Sequence, residues 1–322
     1  IDELLQEISK GNVMAAVNII IDNVRDKLEN QFNDIKQVII TIIFTTVFAA
    51  LIVNFSYSSS KNGVNEMAFY ACYVLQISTL MYIFQIAMEI GEKLVLFILQ
   101  LMGAIIPTYL LAVGITSQAT ALGFNSLIMT LIAVIEDVIL NIVFPMLKVY
   151  MAISMVNSIS KEDLLSGMAD LIKKAINFIY KFILGTVTGL NLIQSLILPT
   201  TDLAKNNIAK KIISNVPIVG NGTDAVAQII LSSVGIIKNS IGVLAIILIV
   251  FVCIVPMVKM TAYSAVVQIS GAVLQPIADK RILNCIKQTS EGIKLLNRGI
   301  SVVGFLFIIT IAIICISTGN GG

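Results

Sequence analysis

Apolar residues run along this chain in blocks of about twenty, and the polar breaks between the blocks set the order of elements. The start differs from the rest. In residues 1–36, Val13, Val17, Ile20, Ile21, Val24, Leu28, Phe32 and Ile35 recur at helical spacing, with Asp22, Arg25, Asp26 and Glu29 between them. That pattern predicts an amphipathic helix, N-capped by Asn12, lying on the membrane or docking a partner. A first apolar span is expected at about 37–56, a polar loop at 56–66, and a second span at 67–90 closed by Glu89, Glu92 and Lys93. Residues 94–116 are apolar but interrupted by Pro107 and Gly114. A long helical run follows at 121–157, then an amphipathic connector at 158–174 and a span at 175–198. Residues 203–238 are less apolar and are interrupted by Pro217, Gly220 and Gly222. Another long helix at 240–274, a basic stretch at 276–298 and a last span at 299–317 complete the pattern.

Blocks of this length can cross a hydrocarbon core of about 30 Å. Lipid cannot satisfy exposed backbone groups, so the spans must be helical. The second half repeats itself: Pro145 and Lys148 are matched by Pro256 and Lys259 at one offset, and Pro107 by Pro217 at nearly the same one. The expected fold is therefore all-α, a polytopic helical membrane protein with a tandem repeat. Each unit would contain a Pro-broken hairpin and a long kinked helix. The divisions are 1–36, 37–93 with two transmembrane helices, 94–198 as repeat one and 199–322 as repeat two. If both hairpins re-enter, five spans cross fully; the alternative is seven full spans.

Composition strengthens the membrane reading. The 322 residues are 57% hydrophobic and only 12% charged, too little polar surface to cover a soluble globule. Net charge is +2, which gives no case for nucleic acid. Histidine is absent, removing the usual general base and the commonest metal ligand. The four cysteines, Cys72, Cys253, Cys285 and Cys315, are widely spaced and read as small hydrophobes. No nucleophile–base pair, phosphate loop, metal set or cofactor motif is evident, so a non-enzymatic protein is expected. The chain begins at Ile1, in keeping with a trimmed chain or a mature form that has lost a signal peptide.

The candidate residues are those that fit poorly in lipid. Proline frees a carbonyl one turn back, so Pro145 and Pro256 should face protein, with Lys148 and Lys259 on much the same face. Either the two lysines snorkel to headgroups or they line a polar cavity between the repeats. Glu136 and Asp137 form an acidic pair inside a span, serving as a structural ion-pair partner or a cation or proton site. The turn chemistry around Pro217 suits an ordinary loop or a half-helix hairpin lining a pathway. Gly185-Thr-Val-Thr-Gly189 reads as a close helix contact. The lysines and arginines of 161–174 and 280–298 would share the cytoplasmic side, placing the 199–211 loop, the C-terminus and residues 1–36 outside.

Four segments carry a resemblance: "IIPTYLLAVG" (105–114), "ISNVPIVGNGTDA" (213–225), "KNSIGVLAIILIVFVCIVPMVKM" (238–260) and above all "QPIADKRILNCI" (275–286). They resemble the stage III sporulation protein AE family of endospore-forming bacteria, over about residue 95 to the end. The resemblance implies a component of the channel linking mother cell and forespore, located in the mother-cell membrane around the forespore. Its implied partners are other proteins of the same operon, including a cytosolic ATPase and ring-forming proteins. The lipid bilayer and further copies of the chain complete the expected partners. On this reading Pro107, Glu136, Asp137, Pro145, Lys148, Pro217, Pro256 and Lys259 belong to a pore or cavity. Gln275, Pro276, Asp279, Lys280 and Arg281 form a docking corner or a positive-inside anchor. A secondary transporter coupled through Glu136 and Asp137, or a purely structural platform, are the alternatives.

Overall fold

The computed structural model describes residues 36–52, 62–114, 130–131, 133–159, 164–213, 247, 249–250 and 252–319. The amphipathic segment 1–35 and the turn around Pro217 lie outside the described residues. Those described form helices: α1 (Lys36–Ile52), α2 (Asn62–Gly114), α3 (Phe144–Ile159), α4 (Ser166–Ile213), α5 (Val252–Leu274) and α6 (Lys280–Gly319). A π-helical stretch, Val138–Val143, leads into α3.

Four described segments are long and apolar enough to cross a membrane: Tyr70–Gly103, Ala133–Ser158, Val252–Leu274 and Lys280–Ile311, with α1 as a shorter apolar helix. The protein is an all-α, multi-pass membrane protein.

Helix boundaries differ from the sequence expectation in three places. α2 runs unbroken for 53 residues, joining the expected second span to the segment through Pro107. α4 runs for 48 residues through Pro199, where a loop was expected at 199–211. α6 joins the basic stretch and the last span into one helix of 40 residues. The physical reason is shared. A proline inside a membrane helix costs one hydrogen bond, but neighbouring groups can satisfy the freed carbonyl and the helix continues. Charge alone does not end a helix either, since Lys, Arg and Glu are good helix formers.

The described residues fall into two compact units. The first takes its residues from Ile1–Leu94, Val143–Asn177 and Phe251–Ile300. Tyr73, Leu80, Phe84 and Met88 of α2 are buried there, as are Leu147 and Met151 of α3. Ile176 of α4, Met260 and Val267 of α5, and Ile286, Ile293 and Leu296 of α6 complete that core. Glycines permit close helix approach. A Cβ on Gly292 would overlap Met151 Sδ and come within 3.1 Å of the Phe84 ring, and one on Gly271 would come within 3.0 Å of Ile286.

The second unit takes its residues from Val95–Ile142, Phe178–Val250 and Ser301–Gly322. Its described helices carry apolar residues both inside and out, with Glu136, Asp137 and Lys181 as exposed charges. Ile98, Met102, Ile139, Tyr180, Val303 and Phe307 are buried, while Phe97, Val134, Ile142, Phe182 and Phe305 are exposed. A helix apolar all round belongs in lipid. Space around Gly185 and Gly189 is open, so the expected small-residue contact is not made with any described residue.

Candidate functional site

The strongest concentration of polar chemistry lies along the first half of α6, inside the first unit. Polar side chains recur there at one-turn intervals, and between them they reach four other helices. Asn284 Nδ2 donates to Ser158 Oγ at 3.1 Å. The Tyr73 hydroxyl donates to the Met155 carbonyl at 3.1 Å and lies 2.8 Å from Cys285 Sγ. Gln288 Oε1 accepts from the Tyr150 hydroxyl at 3.0 Å. Ser264 and Ser290 bring their hydroxyls within 3.0 Å. Asn297 Nδ2 donates to Thr261 Oγ1 at 2.9 Å, and Arg298 Nη1 donates to Asn177 Oδ1. α6 is thereby tied to α2, α3, α4 and α5 by hydrogen bonds that only one register satisfies.

A charged cluster sits in this seam. Glu291 Oε2 accepts from Lys173 Nζ at 3.1 Å, and Glu291 Oε1 lies 3.5 Å from Lys294 Nζ. Burial opposes the charge on Lys173. The hydrogen bond to Glu291, with Tyr150 and the charges of Glu291 and Asp170 nearby, outweighs it and holds this ammonium above its ordinary value. Deep in the same unit, Gln76 is 1% exposed and neither amide atom has a hydrogen-bond partner among the described residues.

The acidic pair lies elsewhere. Glu136 and Asp137 are both exposed on the span Ala133–Ser158, and Asn141 Nδ2 donates to Asp137 Oδ1 at 2.8 Å. They immediately precede the π-helical stretch, which ends two residues before Pro145. Pro145 has no N–H for the carbonyl of Asn141, and its ring crowds that carbonyl. A wider turn directly upstream relieves both problems. Within the single chain Pro145 is exposed and Pro256 half-buried.

The two lysines that follow these prolines have separate partners. Lys148 Nζ donates to Glu92 Oε1 at 3.0 Å, and both side chains remain open to the surroundings. Lys259 lies over the Tyr263 ring, 5.7 Å from its centre, a cation–π contact. Pro107 lies within α2, inside the helix rather than at a break.

The segment Gln275–Arg281 is the corner between α5 and α6. Ile277 and Ala278 donate their N–H groups to the Leu274 carbonyl at 3.0 and 2.9 Å, closing α5. Asp279 Oδ1 accepts the Arg281 N–H at 2.8 Å and Arg281 Nε at 3.2 Å, which makes it the N-cap of α6. Gln275, Pro276 and Lys280 are exposed at the tip. The corner was legible in sequence. The seam of α6 was not singled out, although polar residues at 284, 288, 291 and 298 recur at helical spacing. Among the described residues, no group of three Cys, Asp or Glu side chains gathers to hold a metal.

A family model described as stage III sporulation protein AE matches residues 1–318. The chain belongs to the stage III sporulation protein AE family. The stage III sporulation protein AE of Bacillus subtilis (strain 168) is 22% identical over 283 residues, covering 87% of this chain and 70% of that protein. No solved structure matches the chain. Membership places the chain in sporulation. The Gln275–Arg281 segment that carried the resemblance is, in this member of the family, a capped interhelical corner.

Proposed function

We propose that this chain is the pore-like or permease-like membrane subunit of the channel between mother cell and forespore, seated in the mother-cell membrane around the forespore. It acts there with other proteins of its operon, including the ATPase and the ring-forming proteins. The observation that carries the reading is the exposure of the adjacent carboxylates Glu136 and Asp137 on a segment long and apolar enough to cross a membrane. An aspartate at the centre of a membrane helix costs about 3 kcal/mol on insertion scales. Copies of the chain or its partners therefore cover this face, and the covered space is polar. On this reading Lys148 and Lys259 are pore-lining residues, and Pro107, Pro145, Pro217 and Pro256 shape the path. The exposed tip of the Gln275–Arg281 corner, with Lys280, is assigned to docking of the ATPase.

The test is electrical. The purified chain in planar bilayers, with its operon partners, is expected to give discrete conductance steps. Cation selectivity should fall at least twofold in the double variant Glu136→Gln, Asp137→Asn. Ion-coupled uptake without steps, lost in the same variant, would favour the transporter. Silent bilayers together with normal complex assembly would leave the platform.

A further inference from the structure

We infer that the groove between α5 and the charged half of α6 is a binding site for the headgroup of an anionic phospholipid. The inference is independent of the conduit reading. The groove is a half-open cleft of about 190 Å³ whose lining includes Thr261, Ser264, Ala265, Gln268, Lys294 and Asn297. The Thr261 hydroxyl donates to the Met257 carbonyl and the Ser264 hydroxyl to the Ser290 carbonyl, so the donors the cleft turns to a phosphate are the Lys294 ammonium and the carboxamides of Gln268 and Asn297. Lys294 is the loosely held member. Its ammonium reaches Gln268 Oε1 at 3.4 Å and Glu291 Oε1 at 3.5 Å, both near the limit of a hydrogen bond, and its side chain is 44% exposed. Glu291 is held more closely by Lys173, at 3.1 Å. Glu291 is thus shared by two ammonium groups, and Lys173, which also has Asp170 nearby, takes the closer share, leaving Lys294 the more loosely paired beside the cleft.

The pattern of charge places the cleft at headgroup depth. α6 carries Lys280, Arg281, Lys287, Glu291, Lys294 and Arg298, then no charged residue from 299 to its end at Gly319. At 1.5 Å per residue a helix of 40 residues is about 60 Å long, twice the hydrocarbon thickness. The uncharged half is long enough to fill the hydrocarbon by itself, so Lys294 to Arg298 stand at its edge. α5 runs antiparallel to α6, as the pairs Thr261–Asn297 and Ser264–Ser290 show. The turns of α5 beyond Thr261, in the direction of the uncharged half of α6, expose Val258 and Ile254, 43% and 44% accessible. These lie one helical turn apart and in line with Thr261 and Ala265. A phosphate in the cleft therefore leaves an acyl chain free to lie along Val258 and Ile254. A soluble phosphate or an acidic peptide would use the ammonium but not this apolar track.

The test uses the full chain in nanodiscs containing equal amounts of phosphatidylglycerol and phosphatidylcholine, followed by release into mild detergent and native mass spectrometry. The wild type is expected to retain phosphatidylglycerol at least fivefold over phosphatidylcholine. Lys294→Gln should remove most of that preference, Lys294→Arg should keep it, and Lys280→Gln, at the exposed corner outside the cleft, should leave it unchanged. Val258→Asn should weaken retention severalfold with the lysine intact. Equal retention of the two lipids, or an unchanged preference in Lys294→Gln, overturns the proposal. So does displacement of the lipid by millimolar inorganic phosphate, which would mark a free-phosphate site. An unfolding midpoint for Lys294→Gln equal to that of wild type in lipid-free detergent excludes loss of fold as the cause.

Discussion

At the scale of single residues, burial and partnership decide what a side chain is worth. Gln76 is buried without a partner among the described residues, and an unsatisfied amide costs about 1–3 kcal/mol. Gln76→Leu is therefore expected to raise the unfolding midpoint. Thiol-reactive dye reports it well, because Cys72, Cys253 and Cys285 are all buried in the folded chain. A lowered midpoint would mean that the amide finds a partner in the membrane. Asp279 is the opposite case, since its carboxylate satisfies the first turn of α6. Asp279→Ala is expected to cost about 1 kcal/mol, and Asp279→Asn, which can still cap, much less. Equal midpoints for the two variants would show that the cap contributes nothing.

At the scale of elements, what was legible followed from local chemistry and what was not depended on distant partners. The apolar blocks and the capped corner are written in consecutive residues. The seam of α6 is not, because Tyr73, Tyr150, Lys173 and Ser264 become its partners only after four other helices pack. Pro107 reads as an interruption because proline opposes helix continuation in isolation, and 199–211 reads as a loop, yet α2 and α4 pass through both. Pro145 shows how a helix absorbs the same defect, by widening one turn. Pro145→Ala restores the missing N–H, and the stretch Val138–Val143 is then expected to relax to α-helical geometry. Removing one residue from a turn rotates everything upstream by about 100°. A cysteine at position 137, exposed in the wild type, should then lose reactivity at least severalfold toward a membrane-permeant thiol reagent. Unchanged reactivity would show that packing, not the proline, sets the wide turn.

At the scale of the whole molecule, orientation is the open quantity that charge predicts. The basic half of α6 belongs on the cytoplasmic side by the positive-inside rule, so the end of α6 should emerge on the other side. A cysteine introduced at Thr318 in a Cys-free chain is expected to react with impermeant reagent on intact cells. Reaction only after lysis would invert the arrangement. Whatever the direction, α6 has no break between Lys280 and Gly319. A partner that pulls on Lys280 acts on a stiff shaft, and the displacement arrives at the far end as a tilt or a piston stroke rather than dissipating in a hinge.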